Sequence, residues 1–214
     1  LVCFSGKPSM GKSVLILQSL EPVIRAGGKV LIFTMEMQRE EVLARLLANI
    51  ASVPMQTALT GYTGDQYANK LTLDKIKRAG ILMNQADITI YDKGDQSIAY
   101  IESKALTQND KKQIDVIGID YWQLIESPDH KEELKRLNYT SRRLKTLAKL
   151  VKAPVVTGSQ LNEDNKTQDS KAMIAEANIL IRVDEEGLVV DKSRNSARGQ
   201  FIPVKLDGQF QRFS

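Results

Sequence analysis

The sequence predicts an α/β protein in which a mainly parallel sheet is flanked by helices and extended by antiparallel strands near the carboxyl end. Short apolar runs alternate with helical patterns from residue 1 to residue 157, which is typical of parallel strands joined by crossover helices. Beyond residue 178 the apolar runs follow one another across short turns such as Glu186-Gly187 and Asp207-Gly208, which indicates antiparallel hairpins. The chain has 214 residues and 42% hydrophobic content, which is enough for one sizeable core.

The parallel part contains five predicted strands, each a continuous apolar run of the kind that is buried on both faces. They cover residues 1–4, 29–34, 88–91, 116–119 and 154–157. Helical spacing of apolar residues is clearest over residues 39–52, where Val42, Leu46 and Ile50 recur on one face. Four further helices are predicted. One begins at Val14, one follows the turn-rich segment and ends near residue 82, and two cover residues 97–106 and 131–152. Pro22 is expected to kink or shorten the first of them.

Two segments lack these patterns. Residues 53–71 are rich in turn residues around Gly61 and Gly64, and residues 162–171 are polar without apolar periodicity. We therefore predict turns in the first segment and a mobile loop in the second. The strands of the antiparallel extension are predicted at residues 179–183, 188–190, 201–206 and 210–213.

The segment between the first strand and the first helix fits the phosphate-binding pattern G-x-x-x-x-G-K-[ST]. Its residues are Gly6, Lys7, Pro8, Ser9, Met10, Gly11, Lys12 and Ser13. The glycines allow a tight turn whose N–H groups converge on an anion, and the helix amino terminus adds the positive end of its dipole. Lys12 is expected to reach the β- and γ-phosphates of ATP, and the Ser13 hydroxyl is expected to ligate Mg²⁺. The strand–loop–helix context therefore predicts binding of a nucleoside triphosphate.

Three polar residues follow predicted strands, namely Glu36, Asp120 and Gln160. Because ligands of parallel α/β sheets bind beyond the carboxyl ends of the strands, we expect these side chains on the same edge as Lys12. Asp120 ends an apolar Val-Ile-Gly-Ile run, as in the Walker B pattern, and is expected to supply carboxylate charge to Mg²⁺. Glu36 suits a general base for the attacking water, and Gln160 suits a hydrogen bond to the γ-phosphate or to that water. The alternatives are a turn-capping role for Asp120 and a helix-dipole role for Glu36.

Composition adds a few limits. A net charge of +4 and a pI near 9.0 fit nucleic-acid binding but also many soluble enzymes. The single cysteine, Cys3, gives no disulfide framework and favours a reducing compartment, and the single histidine, His130, excludes a His-based metal site. No apolar run reaches the ~20 residues of a membrane span, and nothing resembles a signal peptide. Because the chain starts abruptly on its first strand, we expect a domain cut from a longer protein.

Basic residues form a stripe about 40° wide on the long helix predicted at residues 131–152, opposite its apolar face. The stripe contains Lys131, Lys135, Arg142, Lys149 and Lys152. A solvated face is the simpler interpretation, and contact with a nucleic-acid backbone is the alternative.

Six segments, in order along nearly the whole chain, resemble the motifs of the DnaB-type replicative helicases. Residues 4–13 resemble the family's P-loop, in which Pro-Ser-Met-Gly-Lys is characteristic, and residues 34–48 are similar to its second motif, including the glutamate. Residues 119–125 resemble its Walker B segment, with Trp122 where leucine is usual. Residues 141–149, 158–162 and 192–195 resemble the next helix, the sensor motif and a Lys-x-Arg-Asn element.

The resemblance implies a RecA-like P-loop ATPase and helicase domain over residues 1–214, assembled as a homo-hexameric ring around single-stranded DNA. ATP would lie between neighbouring subunits, and its hydrolysis would drive 5′-to-3′ translocation. The resemblance also implies that Lys192 and Arg194 act on the neighbour's ATP, where a guanidinium bridges oxygens of the γ-phosphoryl group. A primase or helicase loader is an implied partner, and no membrane is expected. The implied location is the cytoplasm of a bacterial or phage-infected cell.

The segment after the sensor motif departs from the family, which usually has a longer stretch with Arg-Glu-Ser-Gly-Ala facing DNA. Here residues 168–172 read Gln-Asp-Ser-Lys-Ala. Lys166 and Lys171 remain candidates for contact with DNA phosphates, and residues 127–133 form a second candidate DNA loop. A strand-exchange recombinase, a KaiC-like regulatory ATPase and a nucleotide-binding module with poor hydrolysis are the competing interpretations.

Overall fold

The computed structural model describes residues 1–63, 68–130, 132–161, 168–194 and 198–214. The main sheet contains β1 Val2–Gly6, β2 Lys29–Thr34, β3 Asp87–Tyr91, β4 Val116–Asp120, β5 Val155–Gln160, β6 Ile179–Asp184, β7 Gly187–Ser193 and β8 Phe201–Pro203. The helices are α1 Lys12–Arg25, α2 Arg39–Ala51, α3 Met55–Thr60, α4 Lys70–Gln85, α5 Ile98–Lys111, α6 Glu133–Leu150 and α7 Gln168–Glu176. A 3₁₀ turn covers Trp122–Leu124, and β9 Leu206–Asp207 pairs with β10 Arg212–Phe213 in a separate hairpin.

The strand order of the main sheet is β3-β2-β4-β5-β1-β6-β7-β8. From β3 to β6 all neighbours are parallel, whereas the β6–β7 and β7–β8 pairs are antiparallel. Since β4 and β5 lie between β1 and β2, helix α1 crosses both on its way from β1 to β2. The carboxyl ends of these four strands meet along one edge, which is where ligands of such sheets bind. The predicted fold class is confirmed.

The two faces of the sheet carry separate apolar cores, because successive side chains of a strand point to opposite faces. Leu31 and Phe33 of β2 join the core on the side of α5 and α6. Val30 and Ile32 join the core on the side of α1 and α2. Helix α1 lies so close to the sheet that a Cβ on Gly118 would be 3.1 Å from the Leu20 Cδ1 atom. This packing holds the start of α1 at the carboxyl edge.

Pro22 was expected to kink or shorten the first helix, and the shortening does not occur. Helix α1 continues to Arg25, and the Ala26 N–H donates to the Pro22 carbonyl at 3.1 Å. Leu20 and Ile24, on either side of the proline, are fully buried. Their packing outweighs the one helical hydrogen bond that proline cannot donate.

Two segments predicted as turns or loop contain helices. Helix α3 forms within the turn-rich segment, and the N–H of its first residue, Met55, donates to the Gln209 carbonyl at 2.8 Å, a contact that is remote in sequence. Helix α7 begins at residue 168, inside the predicted 162–171 loop, and buries Ala172 and Met173 in its second half. The apolar residues that pack this helix, Ala172 and Met173, come after the polar stretch, so the polar stretch itself shows no apolar periodicity. Residues 162–167 lie outside the described part of the chain.

The boundaries of the antiparallel extension also differ from the prediction. β6 pairs in parallel with β1, so the extension starts only at β7. The single strand predicted at residues 201–206 is divided between β8 and β9, which belong to different sheets.

The basic stripe is shorter than predicted. Helix α6 ends at Leu150, so Lys152 lies beyond it, and Lys131 is not among the described residues. The remaining stripe residues, Lys135, Arg142 and Lys149, are exposed. Separately, within the described ranges no helix is long and apolar enough to cross a bilayer.

Candidate nucleotide-binding site

The loop between β1 and α1 has the backbone geometry of an anion cradle. Ser9 and Gly11 adopt left-handed conformations, with φ of 62° and 83°. Left-handed residues within such a turn aim consecutive N–H groups into a common concavity. Gly11 is also required sterically, because a Cβ there would lie 2.9 Å from the Leu206 Cδ2 atom and 3.0 Å from the Phe213 ring. The P-loop is therefore packed directly against the carboxyl-terminal hairpin.

One cavity of about 380 Å³ beside this loop collects most of the predicted site residues. It is lined by Pro8, Ser9, Gly11, Lys12, Ser13, Glu36, Asp120 and Gln160, together with Val14, Arg45, Tyr121, Leu206, Gly208 and Gln211. The predicted P-loop residues Gly6, Lys7 and Met10 line a neighbouring cavity of about 440 Å³ beside the β6–β7 turn. The structure thus brings Lys12, Ser13 and the three strand-end residues together at one edge of the sheet.

Lys12 presents its ammonium group among carboxylates. Its Nζ atom donates to the Lys7 carbonyl at 2.6 Å, which uses one of its three donors and leaves two for an anion in the cavity. Burial lowers the pKa of Lys12, while the charges of Asp120 and Glu36 act in the opposite direction. These two carboxylates favour the charged form that phosphate binding needs.

Asp120 is the last residue of β4 and is 2% exposed. Burial raises its pKa to about 6, while a hydrogen bond from the Ser13 side chain opposes the shift. Its Oδ2 atom is buried without a hydrogen-bond partner. An unpartnered carboxylate oxygen beside a serine hydroxyl fits an Mg²⁺ ion, which prefers oxygen ligands and takes the remainder from phosphates and water. Within the described ranges no cluster of three or more His, Cys, Asp or Glu forms an all-protein metal site.

Glu36 is exposed to solvent at the mouth of the cavity, two residues after β2. The turn that carries it is held on both sides. The Met37 N–H donates to the Thr34 hydroxyl at 3.0 Å, and the Met35 N–H donates to the Asp120 carbonyl at 3.2 Å. The main chain at Glu36 is therefore held beside the cavity, and its exposed carboxylate is open to water.

Sequence reasoning assigned no role to Arg45, although it lies in the segment that resembles the second helicase motif. Its Nη2 atom lies 2.7 Å from Glu41 Oε1, and its Nη1 atom donates to Gln211 Oε1 at 2.6 Å. The positive charge of Arg45 also counteracts the raised pKa of Asp120. Its position one helical turn after Glu41 was the only local signal that was available.

The carboxyl-terminal hairpin is a wall of the cavity that nothing in the local sequence indicated. The side-chain amide of Gln18 is paired with the main chain of Phe213 in both directions. The Gln18 Nε2 atom donates to the Phe213 carbonyl at 3.0 Å, and the Phe213 N–H donates to Gln18 Oε1 at 2.8 Å. Asn49 Nδ2 donates to the Gln211 carbonyl at 2.6 Å. These contacts join residues more than 160 positions apart, so only the fold reveals them.

Lys192 and Arg194 do not line this cavity. Lys192 Nζ donates to the carbonyls of Ile174 and Ala175 at the end of α7. Arg194 lines a different cavity, of about 450 Å³, beside Leu1 and Ala153. Because Leu1 and Ala153 precede β1 and β5, that cavity lies at the amino edge of the sheet, opposite the P-loop.

The candidate DNA residues are described only in part. Lys171 is an exposed residue of α7, whereas Lys166 falls outside the described ranges. In the second candidate loop, the His130 N–H donates to the Ser127 carbonyl at 2.9 Å, and the His130 ring stacks on Tyr139 with centroids 4.4 Å apart. Residues 127–130 of this loop thus form a structured turn beside α6.

In this strand order, the P-loop after β1 and the carboxylate at the end of β4 meet at the same edge of the sheet. This arrangement is typical of RecA-like P-loop proteins. Within that class, the chain belongs to the family described as the DnaB-like helicase C terminal domain, which matches residues 1–178.

Curated relatives and solved structures agree with this assignment. The replicative DNA helicase DnaB of Haemophilus influenzae is 26% identical over 241 residues, covering 100% of this chain and 50% of that protein. The chain therefore spans about half the length of this curated relative. A second relative, the replicative DNA helicase DnaB of Helicobacter pylori, is 28% identical over 177 residues, which cover 81% of this chain and 35% of that protein.

Among solved structures, an ATPase domain matches 99% of this chain and 83% of its own chain, with a TM-score of 0.83 and 22% identity. A DnaB-like replicative helicase, solved with its interactions with primase, matches 100% of this chain and 56% of its own with the same TM-score and identity. At this identity the structural likeness shows the fold.

Proposed function

We propose that this chain is the ATP-hydrolysing motor of a replicative DNA helicase that translocates 5′-to-3′ on single-stranded DNA as a homo-hexameric ring. The observation that carries the proposal is the cavity in which Lys12 and Ser13 of the P-loop meet Asp120, Glu36 and Gln160. Membership of the DnaB-like family supports helicase activity over the other RecA-like functions. We place the protein in the cytoplasm of a bacterial or phage-infected cell.

The proposed roles follow from the positions of the side chains. The P-loop N–H groups and Lys12 bind the β- and γ-phosphates. Ser13 and Asp120 would hold Mg²⁺, which would neutralise charge on the phosphate oxygens. Glu36 orients and deprotonates the attacking water, since its main chain is held beside the cavity and its carboxylate is open to solvent. Gln160, at the end of β5, contacts the γ-phosphate or that water.

Lys192 and Arg194 are proposed to act on the ATP of the neighbouring subunit. Arg194 lines a cavity at the amino edge of the sheet, and neither residue lines the nucleotide cavity of its own chain, which supports this role. In such an assembly the P-loop of one subunit and the arginine of the next form one site.

Single-stranded DNA is proposed to bind through phosphate contacts of the 127–133 loop and of the segment that includes Lys166 and Lys171. A primase is a proposed partner, because one structural neighbour was solved with its interactions with primase. A helicase loader is a second proposed partner.

A strand-separation assay tests the proposal. We expect ATP-dependent unwinding of a duplex with a 5′ tail and little unwinding of a duplex with only a 3′ tail. Lys12→Ala should abolish ATPase and unwinding together, because the P-loop lysine supplies the positive charge that stabilises the transferred phosphoryl group. ATPase without any unwinding would favour another RecA-like function, and undiminished ATPase in Lys12→Ala would contradict the site.

A further inference from the structure

Gln123 is bound to the main chain of Gln160 through both ends of its side-chain amide. The Gln160 N–H donates to Gln123 Oε1 at 2.7 Å, and Gln123 Nε2 donates to the Gln160 carbonyl at 3.1 Å. Gln123 belongs to the 3₁₀ turn that follows Asp120, whereas Gln160 ends β5 and lines the nucleotide cavity. Because rotation of the amide would break both bonds, the pair joins the turn and the strand end rigidly.

The other side of Gln160 is held by the P-loop strand. Gly6 is its partner in the β1–β5 register, and the N–H of the next residue, Leu161, donates to the Gly6 carbonyl at 3.0 Å. The backbone of Gln160 therefore lies between the P-loop and Gln123. A displacement of Gln123 would change where the Gln160 side chain stands relative to the cavity.

The same 3₁₀ turn is connected to the candidate DNA loop through Arg136. The Arg136 Nη1 atom donates to the carbonyls of Gln123 at 2.8 Å and Ile125 at 2.7 Å. Arg136 lies in the first turn of α6, directly after the loop. Gln123, Ser127, His130 and Arg136 also line one surface cavity of about 530 Å³. A polyanion at this loop would contact the guanidinium that holds the turn in place.

We propose that Gln123 is a positioning residue that couples the nucleotide cavity to the turn at residues 127–130. A DNA backbone at the loop displaces the 3₁₀ turn through Arg136, and the paired amide carries the displacement to the main chain of Gln160. This inference rests on the proposed function, since it supposes ATP in the cavity and single-stranded DNA at the loop. By linkage, a nucleotide in the cavity changes the affinity for DNA by the same factor.

The test compares ATP turnover of the full chain with and without a dT oligonucleotide, in wild type and in Gln123→Ala. We expect the ratio of the two rates to fall by roughly 2- to 30-fold, the range for residues within coupling networks. A merely structural glutamine would lower both rates through lost stability and leave their ratio unchanged, and that result would overturn the proposal. Gln123→Glu keeps the acceptor for the Gln160 N–H but loses the donor, so its ratio should fall to an intermediate value. If Gln123→Ala does not fold, the ratio measured for Gln123→Glu tests the proposal in its place.

Gln113 provides a matched control. Its Nε2 atom donates to the carbonyls of Ile114 at 3.0 Å and Val151 at 2.7 Å. Gln113 precedes β4 and therefore lies at the amino edge of the sheet, opposite the P-loop. Gln113→Ala therefore also loses two amide bonds to the main chain, but its ratio should equal that of wild type. An equal loss of the ratio in this control would overturn the proposal.

Trp122 supplies a readout that does not depend on activity. It is the only tryptophan of the chain, is fully buried, and precedes Gln123 in the same turn. Its emission should respond to the oligonucleotide in wild type and Gln113→Ala, and not in Gln123→Ala. A wild type whose ATPase ignores DNA would overturn the helicase proposal together with this one. A DNA-stimulated wild type with unchanged ratios in the Gln123 variants would overturn only the role of Gln123.

Discussion

The two edges of the main sheet differ in charge. At the carboxyl edge, Lys12 stands beside the carboxylates of Glu36 and Asp120, around a loop shaped for an anion. At the amino edge, a cavity is lined by the cations Lys145, Lys149, Lys152 and Arg194, with Glu176 as the one carboxylate among its described lining residues. Burial, followed by the charges of Arg194 and Lys149, lowers the pKa of Lys145.

This difference shows how charge is divided within one chain. The carboxyl edge can position a triphosphate and a water, whereas the amino edge holds cations that repel one another and gain from an anion brought from outside. Asn178 organises part of this edge, since its carbonyl accepts from the Arg194 N–H at 3.1 Å and its side chain accepts from Lys145. If the two edges meet between subunits, each supplies what the other lacks. The following predictions test that relation.

The largest expected effect is at Arg194. Arg194→Ala should lower ATP turnover by about 10³–10⁵, the range known for arginine fingers, because the γ-phosphoryl charge loses its guanidinium. Mixing Arg194→Ala with Lys12→Ala should restore some activity, since only mixed assemblies contain an interface with an intact P-loop and an intact finger. Lys149→Ala, which removes a cation from the same cavity but no guanidinium, is the control. If the mixture stays inactive while light scattering shows co-assembly, the two edges do not form one site.

A smaller effect is expected at Glu36. Glu36→Gln should keep ATP binding, because binding depends on the P-loop, but should lose about 10²–10⁴ in turnover as a general base is removed. Nucleotide affinity from calorimetry and steady-state ATPase measure the two properties separately. Parallel loss of both would assign Glu36 a structural role at the carboxyl edge.

The smallest expected effect concerns stability at Asp120. The pKa of about 6 lies above the ordinary 3.8, so ionisation of Asp120 lowers the free energy of unfolding. This loss grows between pH 3.8 and about 6 and stays constant at higher pH. Without Mg²⁺, Asp120→Asn should therefore raise the free energy of unfolding at pH 7 by up to about 3 kcal/mol. The gain should shrink as the pH falls through 6. Urea unfolding at pH 5 and pH 7.5 measures this, and destabilisation by Asp120→Asn at pH 7.5 would contradict it.

Local sequence patterns predicted the parts of the molecule that depend on neighbouring residues. The positions of five parallel strands along the chain and the helix at residues 39–52 follow from apolar periodicity, which acts over a few residues. The same reasoning wrongly allowed the helix to shorten at Pro22 and predicted a loop at residue 168. Burial of Leu20, Ile24 and Met173 by distant elements outweighs local preference at these two places.

The sequence by itself determined the phosphate loop, the placement of Glu36, Asp120 and Gln160 at the carboxyl ends of strands, and the resemblance to the DnaB-type helicases. Each of these depends on residues close together in the chain. Only the tertiary structure decided that the carboxyl-terminal hairpin walls the cavity, that Arg45 lines it together with Asp120, and that Gln123 pairs with the main chain of Gln160. The Gln160–Gln123 and Phe213–Gln18 bonds join residues that are 37 and 195 positions apart. No sequence pattern predicts which group a side-chain amide or guanidinium will bind, because the hydrogen bond depends on where folding brings the two groups.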